Sequence, residues 1–158
     1  MPGTPVPSLY DEVEIAAPPA AVWGLVGDVT RMAEWSPQVT STRLSGEATA
    51  CGLGTRFTNR NAHGELVWTT HGEIVGYEAE RRLAFRVEEN FVVWCFDLLP
   101  AADGTRLVQR REAPDGISDL SRDLTEGFLG GQEVFTAMMR DGMRETLARI
   151  KAAAESPH

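Results

Sequence analysis

Apolar and polar residues alternate from Tyr10 to Ala16, with Val13 and Ile15 on one side, which is the pattern of a half-buried strand. Pro18 and Pro19 then open a helix. Its apolar side is Val22, Trp23, Leu25 and Val26, and it stops at Gly27-Asp28. Proline is tolerated in a first helical turn because the N–H it lacks would have no partner there. The spacing predicts a second short helix from about Thr30 to Trp35, ended before Pro37.

From Val39 to Glu112 the period changes to two, in short runs separated by turn residues, as in an antiparallel meander. The expected strands lie near Val39–Glu47, Gly54–Ala62, Glu65–Tyr77, Arg82–Glu89, Phe91–Pro100 and Thr105–Glu112, with hairpins at His63-Gly64, Glu89-Asn90 and Asp103-Gly104. After Asp115-Gly116 the helical period returns. Leu120, Leu124, Phe128, Phe135, Met138, Met139, Met143 and Ile150 keep broadly to one side. One helix over that whole stretch would be about 50 Å long, too long for so small a domain, so a short segment should precede a long helix starting near Gly131. The elements predict one α+β domain from Leu9 to Ala154, with residues 1–8 and 155–158 as flexible tails.

Seven strands spaced about 4.8 Å apart make a sheet roughly 30 Å wide, whereas a helix is only about 10 to 12 Å across. The sheet must therefore curl around the C-terminal helix, with the two short helices plugging an open end. A sheet gripping one helix leaves unfilled space, and that space can take a ligand.

Pleat parity predicts the lining. Leu83, Phe85 and Val87 face in while Ala84, Arg86 and Glu88 face water; Leu66, Trp68, Thr70 and Ile74 face in while Thr69, His71 and Glu73 face out. Phe57 brings Asn59 and Asn61 inward, Trp94 and Phe96 bring Val92 and Leu98, and Leu107 brings Gln109 and Arg111. A β-bulge would reverse every position after it. The resulting wall is aromatic and aliphatic with a few polar groups, which is how small-molecule pockets are built. The inward guanidinium of Arg111 needs an acceptor, either a carbonyl or an anionic ligand group.

Composition narrows the function. The 42% hydrophobic and 24% charged mixture is that of a chain that folds in water. A net charge of −8 opposes phosphate binding, so neither nucleic acid nor an anionic membrane is an expected partner. No apolar run is long enough to span a bilayer and Met1–Ser8 lacks a signal-peptide pattern, so the expected location is cytoplasmic. Cys51 and Cys95 have no metal-type spacing and are expected as free thiols. His71 and Glu73 share a strand face without a third ligand, which reads as solvated sheet surface rather than a metal site. No Ser/His/Asp or Cys/His pairing and no glycine-rich phosphate loop is present, and no cofactor is expected.

The segments Ala17-Pro18-Pro19-Ala20-Ala21-Val22-Trp23, Asp28-Val29-Thr30-Arg31-Met32-Ala33-Glu34-Trp35-Ser36-Pro37 and Gly54-Thr55-Arg56-Phe57-Thr58-Asn59-Arg60-Asn61, followed by Trp68-Thr69-Thr70, resemble the polyketide cyclase/dehydrase branch of the START/Bet v 1-like (SRPBCC) superfamily. The resemblance covers roughly Glu12 to Ala154. It implies a helix-grip (Bet v 1-like) fold, a curved seven-stranded antiparallel sheet around a long C-terminal helix, with a hydrophobic ligand cavity whose mouth lies near Trp35. It does not fix the chemistry, because a shared fold serves many functions.

The expected ligand-binding residues are Trp35, Phe57, Asn59, Asn61, Trp68, Thr70, Phe85, Trp94, Gln109, Arg111, Phe128, Phe135, Met138 and Met139. Gly142, on the helix stripe, either permits close backbone approach or enlarges the void. The leading expectation is sequestration of a small hydrophobic, aromatic or polycyclic molecule. The alternatives are an aromatase/cyclase acting on a poly-β-ketone, with Arg111, Gln109 or the Asn pair handling enolate or proton, and a protein-interaction module with a collapsed cavity. A homodimer is left open.

Overall fold

The computed structural model describes residues 3, 5, 6, 8–128 and 131–156, with the side chains of Leu120, Leu124, Phe128 and Gln132 outside the described set. Strand β1 (Leu9–Ile15) leads into α1 (Pro19–Val26), a single 3-10 turn (Val29–Arg31) and α2 (Met32–Trp35). The meander follows as β2 (Val39–Leu44), β3 (Arg56–His63), β4 (Leu66–Glu78), β5 (Arg82–Val87), β6 (Val93–Ala101) and β7 (Gly104–Glu112). The chain continues with α3 (Asp119–Phe128) and α4 (Gln132–Glu155).

Pro18 is extended and Pro19 begins α1, while the Gly27 N–H donates back to the Trp23 carbonyl at 2.8 Å to end it. Asp28 accepts from the Thr30 N–H at 3.0 Å and starts the next turn. The strands form one antiparallel sheet in the order β1-β7-β6-β5-β4-β3-β2. The two edge strands, β1 and β2, are joined by α1 and α2, which therefore close one end of the curved sheet.

Helix α4, about 36 Å long at 1.5 Å per residue, has β1 and β7 as its main neighbours in the sheet and also packs on α1 and α2. Lys151 donates to the Glu14 carbonyl at 2.8 Å, and Glu155 accepts from the Ala16 N–H at 2.7 Å, so the helix end is tied to the end of β1. Residue 155 thus belongs to α4 rather than to a tail. At the other terminus the Gly3 N–H donates to the Asp115 carbonyl at 2.6 Å.

The main core joins α1, α2 and the C-terminal half of α4 to the sheet through Val22, Val26, Phe57, Ile74, Leu83, Phe96, Leu107, Leu147 and Ile150. A second cluster gathers Leu9, Met139 and Met143, with Trp94, Phe135 and Met138 packed against it.

Parity follows expectation on β3, β5 and β7, where Phe57, Asn59, Asn61, Leu83, Phe85, Val87, Leu107, Gln109 and Arg111 are buried. The β6–β7 and β1–β7 registers run without a break, so no bulge turns Arg111 outward. The bulges fall instead between Ile74 and Gly76 and between Val39 and Ser41. Leu66 and Trp68 share the inward face with their cross-strand partners His63 and Asn61, as expected, but are 46% and 37% exposed, because the start of β4 lies on the side of the sheet away from β1 and β7, where α4 packs. One burial expectation needs correction. Ala84, expected in water, is 2% exposed: it pairs with Cys95 on the convex face, beneath the long side chains of Arg82 and Arg110, which reach to Asp97. Strand β2 is also shorter than expected, ending at Leu44, and β6 starts at Val93. The architecture is the helix-grip (Bet v 1-like) fold.

Candidate functional site

Strands β6, β7 and β1 bring Trp94, Arg111 and Leu9 into one cross-strand row, with Phe96, Gln109 and Asp11 in the next inward row. Arg111 is 6% exposed, and its guanidinium lies 5.8 Å from the Trp94 ring centre and 5.4 Å from that of Phe135 on α4. Among the described residues it makes no salt bridge and no hydrogen bond. Burial draws its pKa down to about 10 with no carboxylate to offset the effect, so it remains charged at neutral pH. Gln109, 5% exposed, has its Oε1 buried with no hydrogen-bond partner among the described residues.

A second polar group sits on β3 and β4 and is internally satisfied. Asn59 donates to the Met32 sulfur at 3.3 Å and accepts from the Thr42 hydroxyl at 2.6 Å. Asn61 donates to Thr70 Oγ1 at 3.0 Å and to the Trp68 carbonyl at 3.4 Å. The even parity of the meander thus places two kinds of polar residue on the same face. The Asn pair has partners in the protein, whereas Gln109 and Arg111 do not.

The remaining expected site residues divide between core and wall. Trp35 is deeply buried, donates from Nε1 to the Leu25 carbonyl at 3.2 Å and meets Phe96 edge-on at 5.3 Å, which places it in the packed core rather than beside Arg111. Phe57 and Phe85 are buried against each other at 5.4 Å. Phe135 and Met138 are half-buried around Met139, next to Trp94. The side chain of Phe128 lies outside the described residues. Gly142 faces only Pro37, with Cγ 3.9 Å from where a Cβ would stand, so it leaves room rather than admitting a close backbone.

Leu9 and Met143 were not singled out as site residues from the sequence. The alternation Leu9, Asp11, Val13, Ile15 carries the signal for Leu9, which stands one residue before the expected strand start at Tyr10. Two surface grooves, of about 130 and about 630 Å³, are lined by Tyr10, Asp11, Arg140, Met143 and Arg144 and by Pro19, residues 78–82 and residues 97–100; neither includes an expected site residue. His71 pairs with Glu89 at 2.6 Å while Glu73 reaches Arg56 at 3.3 Å. His71, Glu88 and Glu89 bring ligand atoms within 4.8 Å of one another at the surface. No described helix is long and apolar enough to cross a membrane.

Comparison with known proteins places this geometry. The solution NMR structure of a polyketide-cyclase-like protein from Corynebacterium glutamicum is 29% identical, with 91% of this chain and 88% of that one aligned at a TM-score of 0.61. The di-domain ARO/CYC StfQ of the steffimycin biosynthetic pathway aligns with 94% of this chain and 50% of its own length, at 13% identity and a TM-score of 0.73. An AHSA1-like protein from Aeromonas hydrophila aligns with 96% of this chain and 98% of its own at 18% identity and a TM-score of 0.63. The latter two speak to the fold alone. No curated protein matches the chain. Residues 7–155 match the family described as polyketide cyclase / dehydrase and lipid transport. The chain belongs to that family, and so to the ligand-binding SRPBCC proteins.

Proposed function

We propose that the protein sequesters one small hydrophobic, aromatic or polycyclic molecule on the concave face of the sheet, beside the N-terminal half of α4. One observation carries this reading. On the inward face, Trp94, Phe135, Met138, Thr70 and Trp68 keep solvent access, whereas Phe96, Leu98, Leu107, Leu147 and Ile150 further along are closed off. Side chains that point toward the helix yet stay accessible border space, and a wall of rings and thioethers with a few polar groups suits an aromatic guest.

Sequestration is favoured over turnover by the polar groups available. Amides, a threonine hydroxyl and an arginine do not exchange protons near neutral pH, and Asp11, the carboxylate in the row of Gln109, already accepts the Glu12 N–H at 2.8 Å, so the groups gathered there suit holding a ligand better than general acid–base chemistry. The test is titration with neutral N-phenyl-1-naphthylamine, followed by fluorescence and by the indole N–H signal of Trp94. Saturable one-to-one binding with a raised Tm and a shifted Trp94 signal is expected. Absence of binding by this and a panel of polyphenols rejects the reading in favour of an interaction module.

A further inference from the structure

We infer that the molecule held on the concave face is a hydroxylated aromatic acid, with its oxyanion against Arg111 and its hydroxyl donating to Gln109 Oε1; this rests on the concave face being a ligand site. Two orphan groups of opposite demand stand on one wall. Arg111 is a buried cation whose flanks are covered by the rings of Trp94 and Phe135. Rings over a guanidinium soften the loss of water but accept none of its in-plane N–H bonds. Gln109, two residues earlier and about 7 Å away along the same face of β7, holds a buried oxygen that needs a donor.

The protein's own carboxylates do not meet that demand. Asp97 faces Arg82 and Arg110 on the convex side, at 3.9 and 3.4 Å. Asp11 accepts the Glu12 N–H at 2.8 Å, and Glu112, next along the strand, points to the opposite face. A purely apolar guest would leave both groups unpaired, which is costly for a buried charge. A carboxylate matches the fork of guanidinium donors, a hydroxyl matches the amide oxygen, and an aromatic frame between them packs against Trp94 and Phe135.

The full chain would be titrated calorimetrically with 6-hydroxy-2-naphthoate, whose carboxylate and hydroxyl stand at opposite ends of the ring system, with its methyl ester and with 2-naphthoate, and in parallel with N-phenyl-1-naphthylamine. The hydroxy acid should bind the wild type at least about tenfold more tightly than the ester, and about threefold more tightly than the acid lacking the hydroxyl. Arg111→Met should erase the preference for acid over ester while still binding the neutral amine. Arg111→Lys should retain part of it, and Gln109→Leu should lose only the preference for the hydroxyl. Arg144→Met, on the outer surface, should alter neither. Equal binding of acid and ester to the wild type, or an unchanged preference in Arg111→Met, overturns the inference alone if the neutral amine binds. If no probe binds, the concave-face reading falls with it.

Discussion

The ring of Phe57 occupies the space that a side chain on Gly72 would need: an ideal Cβ on Gly72 would stand 2.4 Å from Phe57 Cζ. The two residues are direct partners across β3 and β4, and the ring goes on to meet Phe85 edge-on. A glycine in mid-strand ordinarily weakens a sheet, and here it is the condition for seating a large, fully buried core ring.

Gly72→Ala should therefore overpack this site and destabilise the fold by about 1 to 3 kcal/mol. Urea denaturation checks this through a lower midpoint at an unchanged slope. A midpoint equal to that of the wild type would show that the Phe57 ring moves aside freely.

Arg111→Met should act in the opposite direction on the empty protein. A buried charge with no counterion costs stability, and an apolar side chain of similar length fills the same space between Trp94 and Phe135. The expected gain is about 1 to 3 kcal/mol, after allowing for the lost ring contacts. Melting without ligand measures it. A loss of stability would mean that the guanidinium is better accommodated than its surroundings indicate.

The fastening of α4 to β1 should depend on pH. The Ala16 N–H, and after it Lys151, hold the Glu155 carboxyl below its ordinary pKa. Because the folded pKa is the lower one, the stabilisation is complete above the unfolded value and disappears as pH falls through the folded value. Wild type and Glu155→Ala should accordingly differ in Tm at neutral pH and converge in acid. Parallel melting curves across that range would contradict this.

His71 responds in the reverse sense. Its hydrogen bond to Glu89 raises its pKa, so the stabilisation is fully present below the unfolded value and is lost as pH rises through the folded one. In Glu89→Gln, a proton NMR titration should find the His71 midpoint shifted down. The pair is surface-exposed, so the change in overall stability should be small.

Much of this protein was determined by the sequence alone, because the signals involved are local. Period two against period 3.6, prolines at the start of α1 and glycines at the turns fix which segments are strands and helices, and the side-chain parity of β7 follows from Leu107 without any knowledge of its neighbours. The same parity put Asn59, Asn61, Gln109 and Arg111 on one face. It could not say which of them have partners: Asn59 meets Met32 and Asn61 meets Thr70 only after separate segments pack, and Arg111 is left with two rings only because β6 and α4 arrive on either side of it. Nor could it show that Trp35 belongs to the packed core, that Trp68 stands partly in water, or that Ala84 is covered by Arg82 of its own strand and Arg110 of β7. Pairing and coverage depend on distances between residues far apart in the chain, and those distances exist only once the sheet has curled and α4 has settled along β1 and β7.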